Sequence, residues 1–127
     1  MLNLINKSIF NGRLVKDPVF RKLPEDNAVV SFSVAVKRSY KNNHQEYDAD
    51  FIPCIAWGNK AKLYADRLKK GMLVGISGSL RSRTYEDGET GKKHGVLEVL
   101  VEELDFLEPK TQQKNDVDFK LSEDPLS

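Results

Sequence analysis

The chain has 127 residues, with 20 Lys+Arg against 19 Asp+Glu and a formal net charge of +1. That length buries one core and not two, and that charge excludes the bulk basicity of a protein that coats duplex nucleic acid. The lone Cys54 excludes an internal disulfide and a Cys-rich metal site, and no apolar run is long enough to span a membrane. The N-terminus carries neither a signal nor a transit pattern, so a cytoplasmic, reducing setting is expected.

Residues 5–15 read as a first strand, with Phe10, Gly12 and Leu14 on one face and Ile9, Asn11 and Arg13 on the other. Gly12 inside it points to a bulge or sharp bend, as where a barrel curls. Asp17-Pro18 ends the strand, and residues 24–27 form a turn. Residues 28–38 are the clearest strand: Val30, Phe32, Val34 and Val36 alternate with Ser31, Ser33, Ala35 and Lys37. Residues 41–46 are a polar loop. A third strand covers 49–57. Ile52, Cys54 and Ala56 face inward there, while Phe51, Pro53, Ile55 and Trp57 face the other way. Pro53 cannot donate to a ladder, so the strand is an edge at that point or irregular. Cys54 falls on the inward row as a small buried hydrophobe.

The period changes over 59–70. Ala61, Tyr64, Ala65 and Leu68 form the i, i+3, i+4, i+7 stripe of a short amphipathic helix, with Asn59 as N-cap and Gly71 at C′. Lys60, Lys62, Arg67, Lys69 and Lys70 read mainly as its solvated face. A long fourth strand follows from Met72, alternating Val74, Ile76, Gly78 and Leu80 inward. If it runs on to Tyr85, then Arg81, Arg83 and Tyr85 share one face. Residues 86–95 are a glycine-bearing hairpin loop and 96–107 the fifth strand. Phe10, Phe20, Phe32 and Phe106 are expected in the core. Residues 1–110 make the folded domain. Residues 111–127 hold 2 Lys+Arg against 4 Asp+Glu and are expected to be a disordered acidic tail.

The fold class is therefore all-β: a five-stranded OB-fold barrel with one short helix between strands 3 and 4. Such a barrel binds oligonucleotides across its strand 2–3 face and its loops. Guanidinium groups and rings on one sheet face suit a phosphate backbone with an unstacked base beside it. Arg81, Arg83 and Tyr85 have that pattern, and the pairing of cations with a ring recurs where Lys37, Arg38 and Tyr40 end an apolar run. Phe51 and Trp57 lie opposite the inward row of the third strand. Lys7, Arg13 and Lys60 complete the candidate DNA contacts. His44 and His94 sit in polar loops without metal-ligand spacing. There is no carboxylate set with a His, no phosphate loop and no metal motif, so neither an enzyme nor a cofactor or metal is expected.

Three blocks in register carry a resemblance: residues 10–21 (FNGRLVKDPVFR), 49–58 (ADFIPCIAWG) and 68–86 (LKKGMLVGISGSLRSRTYE), followed by Leu107-Glu108-Pro109. Over residues 3–110 the chain resembles the bacterial single-stranded DNA-binding proteins and their phage and plasmid relatives. The resemblance implies a homotetramer of OB-folds that binds single-stranded DNA without strict sequence preference in replication, recombination or repair, with no catalysis. It places the family's four base-stacking rings on Tyr40, Phe51, Trp57 and Tyr85. Members of the family end in an acidic tip closing on Asp, Pro and Phe that recruits replication and repair proteins. Glu123, Asp124, Pro125 and Leu126 keep part of that chemistry without the terminal Phe. The altered tip and low net charge leave an alternative, an OB-fold scaffold or accessory protein that acts through protein partners and binds little DNA.

Overall fold

The computed structural model describes residues 4–107. In chain order it contains β1 (Ser8–Leu14), β2 (Val19–Leu23), β3 (Asn27–Lys41), β4 (Tyr47–Trp57), α1 (Asn59–Arg67), β5 (Leu73–Glu86) and β6 (Lys93–Phe106). Five strands close a ring, β1-β5-β6-β4-β3 and back to β1. All contacts in the ring are antiparallel except β4–β6, which is parallel at Cys54↔Val99 and Ile55↔Leu100. This is the expected OB-fold barrel.

The sixth strand, β2, was not anticipated. It lies along the edge of β3 that β1 uses further on: β2 pairs with Asn27 to Ser31, β1 with Val34 and Ala35. Because β2 is inserted in the count, α1 stands between β4 and β5.

The ring closes because β1 changes partners. It pairs with β5 from Ser8 to Arg13 and meets β3 from Arg13. Leu14 N–H donates to Met72 O at 3.0 Å, while Val15 N–H donates to Ser33 O at 2.9 Å. At this crossing a Cβ on Gly12 would lie 2.3 Å from Ala35 O, so only glycine lets the strands approach. Gly78 does the same for β5, where a Cβ would meet Leu100 O at 2.2 Å, beside the register shift between Ser77 and Gly78.

The inward rows are those the alternation predicts. Val30, Phe32, Val34, Cys54, Ala56, Val74, Ile76, Val99 and Val101 are buried with Leu14, and Ala61 and Tyr64 of α1 and Leu68 just after it join the same core. Pro53 pairs with Ser33 on β3, and β4 meets β6 only from Cys54 onward, so Pro53 sits where β4 is an edge on its β6 side.

Several expectations need correction. Phe20 and Phe106 are exposed at 38% and 40%. Leu80 is also exposed, because β5 has by then passed the Ser77/Gly78 shift and runs out toward its hairpin. The helix ends at Arg67. Its N-cap is Gly58, without a side-chain cap, and its C-cap Leu68 is extended, so neither Asn59 nor Gly71 caps it. The third predicted strand begins at Tyr47, two residues early, and the last at Lys93. The expected domain boundary at 110 and the tail, with Glu123, Asp124, Pro125 and Leu126, lie outside the described residues. Among the described residues no helix is long and apolar enough to cross a membrane.

Candidate nucleic-acid interface

A groove of about 420 Å³ runs over the outer face of β3 and β4. One wall is Val15, Lys16, Asp17 and Val19; the floor includes Ser31, Ser33, Phe51 and Pro53; the far wall is Arg83, Val96 and Glu98. These elements are the segment between β1 and β3, the β3–β4 face and the β5–β6 ribbon, the parts of an OB barrel that line its binding cleft.

The rings stand out from this surface. Tyr40, Phe51, Trp57 and Tyr85 are all exposed. Phe51 and Trp57 share the outer row of β4, opposite Ala35 and Val29 of β3. Tyr85 lies on the β5–β6 ribbon and stacks on His94, its cross-strand partner, with centroids 5.3 Å apart. Tyr40 sits in the stretch of β3 where the register with β4 shifts, between Lys37 and Lys41.

The cations divide into two groups. Arg83 donates from Nε to both oxygens of Glu98, at 3.3 and 3.2 Å, and Glu98 is buried. Arg38 forks onto Asp50 through Nε and Nη2, the latter at 2.8 Å. That fork holds the Asp50 carboxyl below its usual range and raises Arg38 further. Lys7 pairs with Glu102 at 3.0 Å, Lys60 donates to the backbone oxygen of the same residue, and Arg13 donates to Gly71 O at 2.9 Å. Of the expected contacts only Phe51 and Arg83 line the groove; Lys7, Arg13 and Lys60 do not, nor do Lys37, Arg38, Tyr40, Trp57, Arg81 and Tyr85. Arg81 and Lys37 face no carboxylate in an ion pair among the described residues. Arg81 shares the face of Arg83 and Tyr85, as alternation predicts.

Cys54 is buried, and burial, then the Glu98 charge, pushes its thiol up to about 12, which makes it a core residue and not a nucleophile. No group of three or more His, Cys, Asp or Glu is arranged to hold a metal among the described residues.

Four residues at or beside the site escaped the sequence reading. Lys16 and Asp17 looked like a strand end. Glu98 gave a signal that was passed over: it is the single carboxylate in the apolar run Val96 to Val101. Tyr47 falls between the expected loop and the expected third strand and received no role there, although it has the odd parity of Phe51 and Trp57.

The profile of the Single-strand binding protein family matches residues 5–107. The chain belongs to that family. Its relatives include the single-stranded DNA-binding protein of Bacillus cereus, 46% identical over 107 residues, which are 84% of this chain and 62% of that protein. The protein of the same name from Caldanaerobacter subterraneus subsp. tengcongensis is 43% identical over 85% of this chain and 71% of its own length. Single-stranded DNA-binding protein A of Bacillus subtilis is 43% identical over 84% of this chain and 62% of its own. The chain thus spans about three fifths of the length of these Bacillus relatives. The family match covers every strand and the helix, and so takes in the whole groove.

Proposed function

We propose that this chain binds single-stranded DNA without strict sequence preference, as a binding protein and not an enzyme. The observation that carries this reading is the exposure of Phe51 and Trp57 in one row on the outer β3–β4 face, beside a groove walled by Arg83. Rings kept in water at a cost in apolar exposure offer π-faces to any base. Membership of the Single-strand binding protein family and the names of its relatives support the same ligand. Phosphates are captured by Arg81, Arg83, Lys37 and Arg38, with Lys7, Arg13 and Lys60 further out. Bases then stack on Tyr40, Phe51, Trp57 and Tyr85.

A homotetramer belongs to the same proposal. Leu4, Ile5 and Ile9 are 87%, 89% and 77% exposed and Leu97 60%, an apolar surface of the kind that partner subunits cover. Recruitment of replication or repair proteins through Glu123, Asp124, Pro125 and Leu126, and a cytoplasmic, nucleoid-associated place, rest on the sequence alone.

The test is a titration with oligo-dT. Trp57, the sole tryptophan, is quenched as bases stack on it, and affinity falls as salt rises with a slope of about 0.7 per phosphate neutralised. Full-chain protein that neither quenches nor shifts labelled oligo-dT at low salt would leave the scaffold reading in place of this one.

A further inference from the structure

Tyr47 stands at the turn end of β4, half exposed, in the same outer row as Phe51. Four residues along the strand separate the two rings by roughly 13 Å, and the only side chain between them in that row is Ala49. Lys41 is the cross-strand partner of Tyr47, and Lys37 is that of Ala49. The register shift between them takes four steps of β3 against two of β4. As a result both ammonium groups reach one ring: Lys37 Nζ and Lys41 Nζ are each 5.8 Å from the Tyr47 centroid.

Neither ammonium has an ion pair among the described residues. Of the three nearby carboxylates in sequence, Asp50 is engaged by Arg38 and Asp48 by Asn42 Nδ2 at 3.0 Å, and Glu46 forms no ion pair with either lysine among the described residues. A ring exposed in water between two unneutralised cations matches a nucleotide: the ring stacks on the base and the cations take the phosphates on either side of it.

We propose that Tyr47, with Lys37 and Lys41, is a further nucleotide subsite, extending the stacking track beyond Phe51 to the tip of the β3–β4 hairpin. This rests on the reading that the chain binds single-stranded DNA. It adds a ring that the family resemblance did not assign.

The experiment measures anisotropy of labelled oligo-dT of increasing length with full-chain Tyr47→Ala, Tyr47→Leu, Tyr47→Phe and Phe51→Ala. Loss of one stacked base weakens binding by at least about fivefold. Tyr47→Ala and Tyr47→Leu are expected to do so on long oligomers and to shorten the occluded length, while Tyr47→Phe binds as the parent does. Tyr47→Leu restoring binding would overturn the proposal, because an aliphatic side chain that only packs the lysine stems would then suffice. So would Tyr47→Ala binding like the parent while Phe51→Ala binds weakly. If the parent itself fails to bind, the broader reading falls, and this subsite with it.

Discussion

A guanidinium already tied to a buried carboxylate has to be shared if it also takes a phosphate, and the proposed function puts Arg83 in that position. Its Nε is held by Glu98. Arg83→Ala would leave that buried carboxylate without its partner, so we expect a stability loss of about 1–3 kcal/mol in thermal melts, mixed with any loss of binding. Arg81 has no such tie, which makes Arg81→Ala the cleaner probe. It should lower the salt slope of oligo-dT binding by about 0.7 with an unchanged melting temperature, and an unmoved slope would remove Arg81 from the site. Cys54 gives a second residue-scale test. Its unfolded thiol titrates near the ordinary value of 9.0 and its folded thiol near 12. As pH rises the unfolded chain loses its proton first, so the contribution to stability is complete below pH 9 and is lost between 9 and 12. Melts from pH 8 to 10 should fall more steeply than those of Cys54→Ala, by about 1 kcal/mol at pH 10. Parallel curves would show the thiol to be reachable by water. Outward rings such as Phe51 and Trp57 were legible because parity alone decides their face. The Arg83–Glu98 pair was not, because it depends on a β5–β6 register that shifts by one residue at Gly78.

At the scale of elements, legibility followed the contrast between core and water. β3 alternates buried Val30, Phe32 and Val34 with exposed Ser31 and half-buried Ser33, and its sequence alternates to match. Over β2 four of five residues are exposed, so Val19 to Leu23 carries no alternation to read; only its pairing with β3 makes it a strand. The helix was recognised by its buried stripe, but its ends were misplaced. Gly58 accepts from Ala61 and Lys62 through its own carbonyl, and Leu68 leaves the helix to plug the core, a tertiary choice that capping signals do not encode. Gly12 was read as a bulge or bend, and its β5 register runs on without a shift; what requires glycine there is the close approach to β3. Gly12→Ala should push Cβ into the Ala35 carbonyl and destabilise the barrel by about 1–3 kcal/mol or more. A melt that does not move would mean the crossing can relax around a methyl group.

For the whole molecule, the apolar side chains at its N-terminal edge set a stoichiometry test. Light scattering at micromolar concentration should give a particle several times the 14.4 kDa chain mass, and a 14.4 kDa species would end the proposal of an oligomer. The parallel contact of β4 with β6 has a different kind of consequence. It is two residue pairs long, as short as the β1–β3 crossing, yet it joins parts of the chain that have α1 and all of β5 between them. The β3–β4 and β5–β6 hairpins can zip up locally, whereas this seam forms only after the loop entropy of the intervening chain has been spent. Closing the seam is therefore expected to be the late step of folding. Amide exchange at its residues, measured against that of mid-hairpin amides in β3 and β5, would tell whether the cylinder opens along this line before the hairpins themselves come apart.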